Sequence, residues 1–133
     1  MTTYLVDTNI LLNALNQKRG YHELLNGLVN QGNRLACCTV ILGELFTGIR
    51  PADLEKVQQF VSLLAWYGAT PAIARRAGRL RFDYARQGVT LSLLDVLIAA
   101  TALEHGLTLI TANRKHFPMA ELALHPLPGE VNL

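Results

Sequence analysis

The sequence predicts an α/β domain in three layers, α/β/α, with a mostly parallel central sheet covered by helices on both faces. Three observations carry that reading. The strand candidates Tyr4–Val6, Leu35–Cys38 and Leu107–Thr111 are continuously apolar or nearly so, the signature of strands buried on both faces. Segments of helical periodicity, long enough for parallel crossovers, separate them. Half of the 133 residues are hydrophobic and only 17% are charged, which excludes a disordered chain and allows a single domain, 1–133, with a substantial core.

Element by element, Tyr4–Val6 reads as a buried strand. From Asn9, the pattern Ile10, Leu11, Ala14, Leu15 is helical, and Gly20 offers a break. Tyr21–Gln31 forms the next helix, with Leu24, Leu25 and Leu28 on one face and Gly32-Asn33 as its stop. Leu35–Cys38 is a second strand, after which Thr39 is expected to cap a helix running to about Ile49. Pro51 suits the first turn of a helix to about Val61, and Ser62–Tyr67 is a weak strand. Thr70-Pro71 opens a long helix to Gln87, with Ile73, Ala77, Leu80 and Tyr84 as its apolar stripe and Gly88 as its terminator. Ser92–His105 is a nearly all-apolar helix, implying burial on most sides; Gly106 ends it. Leu107–Thr111 is the last clear strand, and Asn113 follows in a loop. The proline-containing tail, Leu122 to Leu133, leaves room for one short strand.

A formal charge of +2 is too small to imply a nucleic-acid partner by itself, so any basic surface is local. The adjacent Cys37 and Cys38 lie in an apolar run and read as a buried, reduced pair in a cytosolic protein rather than a disulfide framework. The first residues lack the features of a signal peptide, and no apolar run reaches the roughly 18 residues a membrane span needs. A soluble cytoplasmic protein is expected.

The chemistry concentrates in three carboxylates set in apolar runs. Asp7 follows Tyr4-Leu5-Val6, Glu44 sits within Val40–Phe46, and Asp95 within Leu93–Ala100. Charges in such surroundings are costly to desolvate without compensation. Neither Asp7 nor Asp95 has a Lys or Arg within five positions, and Glu44 has only Arg50 downstream. The compensation is therefore a distant basic side chain or a cation from solution. If the three converge, they form the hard-oxygen site that Mg²⁺ or Mn²⁺ prefers. Because ligands in open α/β sheets sit beyond the carboxyl ends of the strands, Asp7, Glu44 and Asn113 belong at one edge.

These residues resemble a known family. Leu5-Val6-Asp7-Thr8-Asn9-Ile10-Leu11 looks like the opening of a PIN domain. Glu44-Leu45-Phe46-Thr47-Gly48-Ile49 and Leu94-Asp95-Val96-Leu97-Ile98-Ala99-Ala100-Thr101-Ala102, continuing through Gly106-Leu107 to Thr111-Ala112-Asn113-Arg114-Lys115-His116-Phe117, follow in the family's order. The compact size resembles the VapC toxins of type II toxin–antitoxin pairs. The resemblance implies a homodimeric, Mg²⁺- or Mn²⁺-dependent endoribonuclease, blocked by an antitoxin protein, that hydrolyses RNA with water activated by the metal and leaves 5′-phosphate and 3′-hydroxyl ends. By position it implies catalytic Asp7, Glu44, Asp95 and Asn113, the first three as metal ligands, with Thr8, Asn9 and Thr111 orienting them. Asn113 departs from the Asp of many relatives and brings no charge, so weaker metal binding and one well-held metal are expected. Arg114 and Lys115 are candidate phosphate contacts.

Other readings compete. Asp7 could be a helix cap, Asp95 part of a capping box with Ser92, and Glu44 half of a buried pair with an arginine. The four histidines read as surface or satisfied side chains and Trp66 as core. Arg75, Arg76, Arg79, Arg81 and Arg86 form a solvated face or, alternatively, a track for RNA phosphates. The apolar excess between Gly43 and Leu64 is core packing or a groove for an antitoxin segment. A metal-free binding module of the same fold and a DNA- or flap-cleaving relative are the alternative functions. A receiver domain or a haloacid-dehalogenase-like phosphatase lacks the required Lys or second carboxylate.

Overall fold

The computed structural model describes residues 1–18 and 20–127. Its elements run β1 (Thr3–Val6), α1 (Thr8–Leu15), α2 (Tyr21–Asn30), β2 (Arg34–Cys38), α3 (Thr39–Thr47), a 3-10 turn (Pro51–Asp53), α4 (Leu54–Val61), β3 (Ala65–Tyr67), α5 (Pro71–Arg86), α6 (Leu93–His105), β4 (Thr108–Ile110) and a second 3-10 turn (Arg114–His116). The four strands pair in parallel in the order β3-β2-β1-β4. Leu124 extends the sheet by one parallel bridge to Leu109. The rest of the expected tail strand, from Pro128, lies outside the described residues.

The strand order decides where a ligand can sit. From β1 the chain moves outward to β2 and β3, then returns across the sheet to β4 on the other side of β1. Right-handed crossovers place α1–α4 on one face and α5–α6 on the other. The direction reverses between β1 and β4, which opens a crevice at their carboxyl ends. The apolar strands line the middle of the core: Leu5, Val6, Leu109 and Ile110 have no exposed surface, worth about 1.5–3 kcal/mol per large side chain. α5 packs along α6, and α3 touches both β2 and α6.

Local chemistry explains the boundaries. Thr70 accepts the Ile73 N–H and Ser92 accepts the Asp95 N–H, the usual side-chain caps. Gly106 ends α6 at φ +64°, a left-handed position that favours glycine. Thr39 does not cap α3. Cys38 occupies that position, and the Thr39 hydroxyl instead accepts the N–H of Ala69, tying α3 to the loop before α5. Two burial expectations also change. α6 is buried at Val96 and from Ile98 to Ala102, but its first turn leaves Leu93 and Leu94 about half exposed. Trp66 is 54% exposed, because β3 is the outermost strand and is flanked on one side only. Cys37 and Cys38 are buried free thiols, and burial pushes the Cys37 thiol up to about 12. No helix among the described residues is long and apolar enough to cross a membrane.

Candidate active site

The crevice between β1 and β4 is bridged by one short hydrogen bond. The Thr111 hydroxyl, just past β4, donates to Asp7 Oδ2 at 2.6 Å, and Asp7 Oδ1 accepts the N–H of Thr8 at 2.8 Å. Asp7 is 6% exposed. It is also the N-cap of α1, so capping and site geometry use the same carboxylate. Thr111 is held in turn, since its oxygen accepts the backbone N–H of Asn113 at 3.0 Å. The result is a relay from the Asn113 backbone through Thr111 to Asp7.

Glu44 stands one helical turn into α3, and its Oε1 accepts the Thr8 hydroxyl at 3.1 Å. Thr8 thus binds Asp7 through its backbone and Glu44 through its side chain. Loss of surrounding water pushes the Glu44 carboxyl up; the Thr8 bond opposes this, and the nearby charges of Asp7 and Asp95 raise it further. Its residue surface remains largely accessible, so the upward direction comes from a partly sheltered carboxyl facing like charges rather than from full burial. Among the described residues no arginine pairs with it, so the buried-pair reading finds no partner there. Asp95 enters from α6. Its backbone N–H is taken by Ser92, while its Oδ2 lies 3.4 Å from His116 Nδ1. The carboxylate therefore faces the 3-10 turn after β4 rather than closing a capping box.

Asp7, Glu44 and Asp95 are near enough to repel one another, and none of them forms an ion pair with Lys or Arg among the described residues. Among those residues no group of three His, Cys, Asp or Glu is drawn together tightly enough to enclose a metal ion unaided. The donor set consists of carboxylate oxygens with no Lys or Arg partner among the described residues and the His116 imidazole beside one of them, the chemistry that a hydrated hard dication satisfies. The residues fit such an ion through mutual repulsion rather than through a closed cage.

The other expected site residues divide. Thr8 and Thr111 touch the carboxylates directly. Asn9 is exposed and bonds none of them among the described residues. Asn113 makes its recorded contact through the backbone. Arg114 reaches the carbonyl of His125, while Lys115 lines a cavity with Asp95. Of the α5 arginines, Arg76 pairs with Glu104, Arg81 donates to the Leu91 carbonyl, and Arg79 and Arg86 lie over the Phe82 ring. His116 was not separable from the other histidines by spacing. Its signal was position, three residues after Asn113 and directly before Phe117, an apolar residue that is buried here.

The sequence profile of the PIN domain matches residues 4–122. The chain belongs to the PIN-domain family. Ribonuclease VapC10 of Mycobacterium tuberculosis is 37% identical over 129 residues, covering 94% of this chain and 95% of its own. Ribonuclease VapC19 of the same organism is 36% identical over 115 residues, covering 86% and 92%. These relatives place the chain in the VapC branch of the PIN family. The PIN fold also aligns with VapBC2 from Rickettsia felis, solved bound to a DNA fragment from its promoter, at a TM-score of 0.82 and 27% identity over 93% of this chain and 98% of the other. A toxin–antitoxin complex from Klebsiella pneumoniae aligns at 0.77 and 27% identity, covering 92% and 96%.

Proposed function

We propose that this PIN-domain chain is a metal-dependent endoribonuclease, the toxin of a type II toxin–antitoxin pair, acting in the cytoplasm as a homodimer. The observation that carries the reading is the convergence of Asp7, Glu44 and Asp95 at the β1/β4 crevice with no ion pair to Lys or Arg among the described residues. Ribonuclease names among the VapC relatives, and VapBC complexes among the solved structures, support it.

In this mechanism Asp7, Glu44 and Asp95 would hold Mg²⁺ or Mn²⁺. When bound, the ion offsets phosphate charge and eases deprotonation of water. The chain's residues do the rest. Thr111 and Thr8 fix both oxygens of Asp7, so its negative charge cannot swing away. Thr8 occupies Glu44 Oε1, which would leave Oε2 for the ion. Lys115, which lines a cavity with Asp95, and its neighbour Arg114 would attract the RNA backbone.

Two surfaces suit protein partners. Leu12, Leu15, Ile49 and Val57 line a groove of about 420 Å³, with Arg50 and Lys56 among its polar residues; it suits the apolar face of an antitoxin helix. Phe82, Val89, Leu93 and Leu94 are 38–49% exposed around the α5/α6 junction and suit a homodimer contact. A monomer by light scattering would remove the dimer.

The functional test is cleavage of total cellular RNA by antitoxin-free protein with Mg²⁺ or Mn²⁺, with EDTA, and with Asp95→Asn. The expected result is cleavage that needs both metal and Asp95 and leaves 5′-phosphate ends. Products with 2′,3′-cyclic phosphate would overturn the mechanism. A folded protein with no metal response would favour the metal-free binding module.

A further inference from the structure

We infer that the outer ridge of α5, formed by Arg75, Arg79 and Arg86, holds the phosphate backbone of the RNA to one side of the cleavage point. The inference rests on the ribonuclease reading above and concerns where the substrate runs once it leaves the carboxylate edge.

Charge is unevenly placed in this chain. α5 carries five arginines against one acid, Asp83, a formal +4 on 16 residues. The whole chain carries +2, so everything outside this helix is net acidic. A helix that outweighs the rest of the molecule makes a local basic field that phosphates seek. Within α5 the arginines divide. Arg76 pairs with Glu104 and Arg81 donates to the Leu91 carbonyl, both ties within the fold. Arg75, Arg79 and Arg86 are exposed, and no carboxylate pairs with them among the described residues. With Phe82 they follow the spacing i, i+4, i+7, i+11, a single line along the helix. The line lies opposite the buried Ile73 and Ala77, so core packing does not account for it.

Phe82 orders two of the three. Arg79 Cζ lies 4.6 Å and Arg86 Cζ 5.8 Å from the ring centroid, within cation–π range. Stacking occupies the face of a guanidinium and leaves its N–H edge for a phosphate. The apolar patch proposed for the homodimer borders this line along Gly78, Phe82 and Ala85, on the flank away from Arg79 and Arg86. From Arg75 to Arg86 the ridge spans about 16 Å.

The fold sets which end meets the carboxylates. The Arg76–Glu104 pair puts the start of α5 against the end of α6 that is far from Asp95. The end of α5 is tied to the following loop, where the Val89 N–H donates to the Tyr84 carbonyl at 2.9 Å. Val89, Thr90 and Leu91 line one cavity with Asp95 and Lys115, and Thr90 and Leu91 also line the cavity that includes Phe82. An RNA strand leaving Asp95 past Lys115 therefore crosses this loop and meets Arg86 first, then Arg79, then Arg75. The competing role is a solvated face, which would add to RNA affinity only through its share of the net charge.

The experiment is fluorescence anisotropy of labelled bulk transfer RNA, a folded probe, titrated with the full chain in EDTA at several salt concentrations. For wild type, log affinity should fall linearly with log salt. Arg75→Gln/Arg79→Gln/Arg86→Gln should weaken binding by about tenfold or more and flatten the slope by about 2 to 3, near 0.9 per lost phosphate contact. The same three positions changed to Lys should restore the slope, since the charge returns. Lys18→Gln/Arg34→Gln, which removes exposed charge elsewhere, should change the slope by less than about 1. Circular dichroism checks that each variant is folded. An unchanged slope in the triple Gln variant, no restoration by Lys, or an equal loss per charge in Lys18→Gln/Arg34→Gln would overturn the ridge while leaving the ribonuclease site standing. A wild type that neither binds nor cleaves RNA would overturn both.

Discussion

The two walls of the crevice are built differently. On the β1 side, Asp7 is buried and both its oxygens are held, one by a backbone N–H and one by the Thr111 hydroxyl. On the α6 side, Asp95 has its backbone fixed by Ser92, while its carboxylate faces His116 across 3.4 Å. One wall is a preset charge and the other an adjustable one. Fixing every carboxylate would store repulsion that no cation relieves before metal arrives. Leaving all of them loose would spend binding energy on ordering them. A fixed anchor opposite a yielding partner avoids both costs.

The contrast makes ordered predictions. Substituting either carboxylate should be severe: Asp7→Asn and Asp95→Asn should each lower RNA cleavage by at least about a hundredfold, the scale of removing one charge-stabilising group. Steady-state cleavage assays check this, with circular dichroism to show that the fold persists. Thr111→Val tests the fixed wall alone. It leaves a buried carboxylate oxygen without its donor, so stability should fall by about 1–3 kcal/mol and cleavage by about tenfold to a hundredfold, read by urea unfolding and by the same assay. Ser92→Ala tests the yielding wall. Loss of a helix N-cap should cost about 1 kcal/mol, with a smaller loss of activity than Thr111→Val, since the Asp95 carboxylate itself keeps its surroundings. If Ser92→Ala proved worse for activity than Thr111→Val, the contrast between the walls would be inverted.

The smallest effect belongs to Glu44. Its folded carboxyl is pushed above its ordinary value by lost hydration and by Asp7 and Asp95, against the Thr8 bond. The native state therefore holds a proton that the unfolded chain releases. The associated stability is present below the ordinary carboxylate value and is lost as pH rises through the raised one. In EDTA, Glu44→Gln should gain Tm relative to wild type on going from about pH 4 to about pH 7. A constant difference across that range would show that Glu44 does not feel its neighbours.

Much of the fold was legible because its signals are local. Unbroken apolar runs such as Leu5-Val6 and Leu109-Ile110 mark doubly covered strands, and Ser92, Thr70 and Gly106 act at the boundaries where their chemistry suits. The convergence of Asp7, Glu44 and Asp95 could be anticipated from uncompensated charge in apolar sequence. What escaped depended on neighbours distant in sequence. The exposure of Trp66 follows from β3 being the outermost strand, which its own composition does not reveal. The Thr39 hydroxyl oxygen accepts the N–H of Ala69, thirty residues away, instead of capping its own helix. The arginines of α5 looked like one face, yet their partners Glu104, Leu91 and Phe82 divide them. His116 meets Asp95 only because the turn after β4 folds back toward α6.

The central claim is that both walls serve one cation. Its most direct test is titration of Mg²⁺, followed by calorimetry, into wild type, Asp7→Asn and Asp95→Asn at equal protein concentration. The account predicts one binding event in wild type that either substitution weakens by at least about tenfold. Binding that survives unchanged without Asp7 or without Asp95, or no binding to the folded wild-type chain, would contradict it.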